Sequence, residues 1–218
     1  KIYGKQEDFS YLILDLLGES LESIRIKKNE PLSVKFVTKI GIQMLKRIEE
    51  FHNKGVIHRD IKPDNFLFGK GMNGSILYLI DYGLSRSYIQ KGKHIELNTG
   101  RSIVGTTRYV SVNIHKGLTP SRRDDMESIG YTLLYLLSKQ LPWQGLPIDN
   151  FEEKIKLVCK IKDDESLWEL FQDIPGEFIT FIIYCRKLKY DEIPNYKYLC
   201  GLLSNLYKLF NLQYSKVF

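Results

Sequence analysis

The amino-acid sequence predicts an α+β chain whose bulk is one helical lobe, with short strands and with its chemistry carried on loops. Three observations lead there. Residues 126–137 are apolar almost all round at helical spacing, which means a helix buried at the centre of other helices. Runs rich in β-formers are few and short. Residues 85–113 are polar, contain glycine and show no periodicity, a length of structureless chain that a compact domain keeps only for a purpose.

In chain order, residues 9–15 (Phe-Ser-Tyr-Leu-Ile-Leu-Asp) read as a strand that Leu16-Leu17-Gly18 leaves. A short helix is expected over 20–27. Pro31-Leu32-Ser33 then announces a long helix with Ser33 as its N-cap. Phe36, Val37, Ile40, Met44, Leu45, Ile48 and Phe51 recur along it at helical spacing, and Gly55 stands just past its end. Val56-Ile57-His58-Arg59-Asp60 and Asn65-Phe66-Leu67-Phe68 flank a loop containing Pro63. A glycine-rich turn over 69–75 leads into a buried strand over 76–80, which ends in Asp81-Tyr82-Gly83. Beyond the aperiodic segment a helix is expected from Asp124 onward, with further helices over about 149–161, 177–189 and 196–210.

Composition narrows the functions without choosing one. Of the 218 residues, 43% are apolar and 27% charged, the balance of an ordinary soluble domain. The longest apolar run, residues 131–137, is far short of the roughly 20 residues that span a bilayer. No apolar signal segment opens the chain, so a cytoplasmic or nuclear protein is expected. Cys159, Cys185 and Cys200 are odd in number and form no CxxC, and the four histidines form no HExxH. The cysteines therefore read as small core residues in a reducing compartment. A net charge of +6 suits an acidic partner. The chain lacks the interleaved aromatic and basic residues on which nucleic-acid bases stack, which points away from nucleic acid.

The chemistry is concentrated in His58-Arg59-Asp60-Ile61-Lys62-Pro63-Asp64-Asn65, followed sixteen residues after Asn65 by Asp81-Tyr82-Gly83. The first run resembles the protein-kinase catalytic loop HRDxKxxN, and the second resembles the magnesium-binding DFG with tyrosine in the middle. Phosphoryl transfer asks for positioning and charge neutralisation more than for covalent chemistry. The resemblance implies ATP and Mg²⁺ as cofactors and Asp60, Lys62, Asn65 and Asp81 as catalytic residues. Asp60 would take the proton of the substrate hydroxyl, and Lys62 would offset charge on the transferring group. Asn65 and Asp81 would hold the metal, since a hard cation takes oxygen ligands. His58 and Arg59 would position the loop.

The flanking residues narrow the resemblance to casein kinase 1. His58 to Gly69, HRDIKPDNFLFG, is similar to that family's catalytic loop nearly letter for letter. Residues 105–113, GTTRYVSVN, resemble its GTxRYxSxN stretch, which replaces the APE of most kinases. Residues 121–131, SRRDDMESIGY, and Leu141-Pro142-Trp143-Gln144-Gly145 complete the likeness, which runs from about Tyr3 to the C-terminus. The implied architecture is α+β and protein-kinase-like. Residues 1–18 would be a remnant of small-lobe strands with the hinge, and 19–218 the helical C-terminal lobe. The latter would carry the catalytic loop at 58–65 and the activation segment at 81–113. The resemblance further implies a serine/threonine kinase, monomeric when complete, acting on acidic or phosphate-primed proteins.

Several roles follow from the likeness. Asp15-Leu16-Leu17-Gly18 resembles the hinge against which adenine stacks, with Leu17 offering backbone hydrogen bonds and Leu14 closing the back of the pocket. Leu67 and Ile80 would form its floor. Ser23 stands where the family has an aspartate on the ribose. Asp125 would anchor the catalytic-loop backbone, since a buried carboxylate without partners costs several kcal/mol. Arg108, Gly145 and Lys154 would form a substrate anion site, the arginine because its fork pairs with phosphate oxygens. Lys154 reads equally well as part of a solvated helix face. Lys27-Lys28, Lys91 and Lys93 read as surface charge, and Arg122-Arg123 as a basic pair of the type proposed for nuclear targeting.

A complete kinase carries a glycine-rich loop, a strand lysine and a helix glutamate before its hinge. Only 13 residues precede Leu14, and they hold none of these; no G-x-G-x-x-G spacing is expected. The chain is therefore expected to be a piece of an intact kinase, or a truncated lobe serving as a non-catalytic interaction module, or a lobe that borrows its missing half from a second polypeptide. Such a lobe is expected to expose its hinge strand and adenine floor as an unpaired edge and an apolar patch.

Overall fold

The computed structural model describes residues 2–214. Lys1 and residues 215–218, the two ends of the expected small-lobe remnant and helical lobe, lie outside the described residues.

The first element is a ribbon. β1 (Ile2–Gln6) pairs antiparallel with β2 (Phe9–Ile13), Ile2 opposite Ile13 and Gln6 opposite Phe9. The expected strand is β2. β1 was not legible, because Gly4, Lys5 and Gln6 dilute its β-forming residues. The ribbon stands clear of the core, with Tyr3 86% and Leu12 55% exposed. The expected apolar exposure is found on β2, while Leu67 and Ile80, the expected adenine floor, are half-buried, and β1 covers one edge of β2.

α1 (Leu21–Lys28) begins at Ser20, whose hydroxyl accepts from the Ser23 amide at 3.1 Å, and ends at Asn29 in the left-handed region. α2 (Val34–His52) starts at Ser33, which accepts from the Phe36 amide at 3.3 Å. Its stripe of Val37, Ile40, Met44, Leu45 and Ile48 is buried, as the spacing demands. Each such side chain contributes about 1.5–3 kcal/mol by leaving water.

Short strands follow. β3 (Val56–Ile57) precedes the loop, β4 (Phe66–Phe68) follows it, and β5 (Leu77–Leu79) pairs antiparallel with β4. The aperiodic segment opens with β6 (Arg86–Ser87), which pairs with β3, and with the small hairpin of β7 (Ile89–Gln90) and β8 (Lys93–His94). Two-residue strands carry no period, so nothing in the sequence marks them.

The rest is helical: α3 (Val112–His115), α4 (Arg122–Leu137), α5 (Phe151–Asp163), α6 (Gly176–Lys187) and α7 (Tyr196–Tyr214). α4 lies at the centre as expected, packed between α2 and α6, with α7 closing over α2. It begins two residues before Asp124, because the Asp124 carboxylate turns back to accept the Ser121 amide at 2.7 Å. No helix among the described residues is long and apolar enough to cross a membrane. The three cysteines are free, Cys185 buried and the others half-buried.

The basic pair Arg122-Arg123 is not the solvent-facing cluster that targeting requires. Arg122 is buried and bonds Tyr88 Oη and the Asp191 carbonyl, while Arg123 donates to the Leu188 carbonyl at 3.0 Å. Both arginines tie the start of α4 to neighbouring loops.

Candidate active site

The loop at 58–65 is held from below by one buried carboxylate. Asp125 sits in the first turn of α4, where the helix N-terminus favours negative charge. It accepts from the His58 amide at 2.7 Å, the Arg59 amide at 2.8 Å and His52 Nε2 at 2.9 Å. His52 Nδ1 lies 2.7 Å from Tyr196 Oη, so the chain of bonds reaches α7. Burial pushes the Asp125 pKa up, but the bonds to His52 and the loop amides outweigh it and hold the pKa below the usual range. Arg59 is thereby kept at φ 69°, a left-handed conformation that a non-glycine residue adopts only when its surroundings impose it.

Asp60 is the best-connected side chain of the loop. Lys62 Nζ donates to its Oδ2 at 2.7 Å. Thr106 donates to its Oδ1 from the hydroxyl at 2.8 Å and from the amide at 3.1 Å. Asn65 Nδ2 bonds the Asp60 carbonyl at 2.8 Å and reaches Oδ2 at 3.4 Å. Burial alone would raise the Asp60 pKa; Lys62 and Thr106 pull it below the ordinary value. At neutral pH the group is therefore an ionised acceptor. The close approach of 105–106 to the loop depends on Gly105, at φ 99°, where a Cβ would run into the Arg59 carbonyl.

Asp81 is placed by strand pairing. The Ile80 amide donates to the Asn65 carbonyl at 3.0 Å, and His58 Nε2 lies 3.0 Å from the Ile80 carbonyl. Asp81 follows at φ 61° with its carboxylate exposed, Oδ1 accepting the Gly83 amide at 3.3 Å. Tyr82, 40% exposed, stacks on Phe51 with centroids 5.4 Å apart and donates to the Leu79 carbonyl at 2.6 Å. Among the described residues no cluster of three or more His, Cys, Asp or Glu side chains could hold a metal. The oxygen donors on offer are the Asp81 carboxylate and the Asn65 Oδ1, left unbonded because Nδ2 faces Asp60. That pair fits Mg²⁺, which binds through few protein oxygens and keeps waters and phosphate oxygens for the rest.

Two clefts flank this centre. The first, of about 590 Å³, is apolar and is lined by Leu14, Asp15, Leu17, Leu67 and Ile80, with Asp81 also on its wall. Five of the six residues expected to hold the nucleotide thus share one cavity. Ser23 is not among its lining residues; its hydroxyl is 3.4 Å from Glu19 Oε1. No lysine or arginine lines the cleft. Contrary to the sequence expectation, the spacing G-x-G-x-x-G does occur, as Gly69-Lys70-Gly71-Met72-Asn73-Gly74. It forms the turn between β4 and β5, apart from the cleft lining. The spacing alone therefore supplies no phosphate loop.

The second cleft, of about 340 Å³, gathers Arg108, Gly145 and Lys154, the three residues of the expected anion site, together with Asp64 and Thr106. Arg108 stands 5.3 Å over the Tyr135 ring and bonds Tyr109 Oη at 3.3 Å. Its carbonyl accepts Trp143 Nε1 at 2.8 Å. Gly145 bends the chain at φ 67° on the cleft wall. Sequence reasoning missed Thr106 as the partner of Asp60, although it stands inside GTTRY. It also missed the buried role of His52, for which an inward-facing helical position was the only signal.

A helical lobe that presents a lysine-paired aspartate, an asparagine and an Asp-aromatic-Gly turn beneath an apolar cleft has the architecture of a phosphotransferase of the kinase type. The family model described as Protein kinase domain matches residues 2–198, and the chain belongs to that family.

Proposed function

We propose that this chain is the lobe of a serine/threonine kinase similar to casein kinase 1 that binds protein substrate and carries the catalytic loop, moving the γ-phosphoryl of ATP with Mg²⁺ to acidic or phosphate-primed proteins. The observation that carries the reading is that Asp60 is bonded to neighbours that lead to both clefts. Its loop neighbour Asn65 pairs with the strand end that brings Asp81 into the apolar cleft, and its partner Thr106 lines the basic one.

Leu14, Leu17, Leu67 and Ile80 would take the adenine ring, with Leu17 bonding through its backbone. Asn65 and Asp81 would hold the metal, which when bound neutralises phosphate charge. Asp60, already ionised, would orient the substrate hydroxyl and accept its proton; Lys62 would face the charge of the transferring group. Arg108 and Lys154 would receive an acidic or phosphorylated side chain near the target residue, the guanidinium through paired hydrogen bonds.

The absence of a cationic side chain from the lining of the apolar cleft favours a second reading, a non-catalytic interaction module. Titrating ATP with and without Mg²⁺, and assaying transfer to a phosphorylated serine peptide and its unphosphorylated twin, separates the two. The kinase reading expects Mg²⁺-strengthened binding that Asp81→Asn abolishes. It also expects transfer that Asp60→Asn lowers by about 10²–10⁴-fold. Transfer surviving either substitution would sink the mechanism, and absence of nucleotide binding would leave the interaction module.

A further inference from the structure

Among the described residues one lysine is wholly inside. Lys162, in the last turn of α5, is 0% exposed. Its Nζ donates to the Val110 carbonyl at 2.7 Å and the Thr107 carbonyl at 3.0 Å, and lies 3.2 Å from His115 Nε2. The rings of Tyr131 and Trp143 lie beneath it, with centroids at 4.7 and 5.0 Å. Among the described residues no carboxylate forms an ion pair with it. Burial holds its pKa down to about 7 against the attraction of Glu127. His115, pushed down to about 3 by burial and by Lys162, is neutral, and its Nε2 accepts from Lys162 only in the tautomer that carries the proton on Nδ1. Nζ thus has two carbonyl acceptors and an imidazole nitrogen within hydrogen-bond reach, and these partners make so costly a burial tolerable.

The bonded carbonyls lie on either side of Arg108. Of the two carbonyls between them, that of Arg108 is taken by Trp143 Nε1. The residue before them, Thr106, holds the Asp60 carboxylate. A second brace lies just beyond, where Glu127 Oε1 accepts the Val112 amide at 3.1 Å and Arg186 Nε at 3.3 Å. Arg186 in turn donates to the Lys162 carbonyl. Thr106 and Arg108 therefore line the second cleft while the carbonyls of Thr107, Arg108 and Val110 are held by Lys162 and Trp143.

We infer that Lys162 is a positioning residue for substrate: it fixes residues 106–110, and through them the Arg108 guanidinium in the anion cleft. The inference rests on the anion-cleft reading given above for its consequence, but not for the fastening itself. Lys162→Met keeps the apolar stem and removes the Nζ donor, leaving the Thr107 and Val110 carbonyls unpaired.

The test uses the full chain with Lys162→Met and the shorter amide donor Lys162→Gln. Hydrogen exchange read by mass spectrometry is expected to quicken about tenfold in peptides covering 106–116 of the methionine variant, the loss of one to two hydrogen bonds, with α2 unchanged. The glutamine variant should fall between. Binding of a phosphoserine peptide should weaken about tenfold while its unphosphorylated twin changes little. Unchanged exchange in 106–116, equal acceleration throughout the chain, or an unchanged ratio of the two peptides overturns the inference. So does failure of both variants to reach a native circular dichroism spectrum, which assigns Lys162 to folding alone. Arg108→Ala runs in parallel. If it leaves phosphopeptide affinity unchanged, the anion-cleft reading fails, while the exchange result still decides whether Lys162 fastens the segment.

Discussion

Replacing Asp125 with alanine removes the carboxylate to which the catalytic loop is tied. Three donors lose their acceptor: the His58 amide, the Arg59 amide and His52 Nε2, now at 2.7, 2.8 and 2.9 Å. Each donor left unpaired in the interior costs about 1–3 kcal/mol. The costs do not add fully, because the Arg59 amide is only partly buried and can reach water. Removing one member of a buried charged network costs about 3–5 kcal/mol, and that is the expected loss here. It is a large share of the roughly 5–15 kcal/mol that stabilises a domain. Urea unfolding followed by far-ultraviolet circular dichroism reads it directly. With a slope of about 2 kcal/mol per molar, the midpoint should fall by roughly 2 M.

Acid supplies an independent check. The Asp125 carboxyl is held below its usual range in the folded chain, so its contribution is present above the unfolded pKa of about 3.9 and fades as pH falls below it. The gap between wild type and Asp125→Ala should therefore narrow on acidification. A midpoint shift below about 0.5 M at neutral pH, or a gap that stays constant into acid, would refute the assignment of Asp125 as the loop's anchor.

Two further perturbations follow from the same geometry. Lys62→Met removes the strongest influence that holds the Asp60 pKa down, leaving Thr106 alone to oppose the upward push of burial. On the kinase reading proposed above, where ionised Asp60 is the base, the acid limb of a plot of transfer rate against pH should move to higher pH; an unmoved limb refutes the pairing. Gly105→Ala places a methyl against the Arg59 carbonyl at a φ of 99°. It should destabilise by more than about 1 kcal/mol. Its melting temperature should fall by at least about 2–4 °C, and an unchanged value would show that the segment does not need this approach.

Local signals in the sequence sufficed for a good part of the molecule. Ser33 and the stripe from Val37 to Ile48 announce α2 because a helix repeats its buried face every third or fourth residue. The almost wholly apolar run of α4 could lie nowhere but the centre. The loop at 58–65 and the turn at 81–83 were legible because phosphoryl transfer needs a carboxylate, a lysine and oxygen donors in a fixed order. Spacing has limits even there: Gly69 to Gly74 spells a phosphate loop and folds as an ordinary turn between β4 and β5.

What only the tertiary structure decided is where polar groups find partners distant in sequence. Lys162 stands in a run of lysines and aspartates that reads as surface, yet it is buried because the carbonyls of Thr107 and Val110, more than fifty residues earlier, wait for a donor. Arg122 and Arg123 read as a basic pair of the type proposed for nuclear targeting and instead fasten loops. Leu14, Leu67 and Ile80 are ordinary core letters until pairing of β4 with β5 and the turn at the hinge set them around one cleft. Periodicity reports which face of an element is apolar. The burial of a charge depends on acceptors supplied by other elements, and that information exists only once the chain has closed on itself.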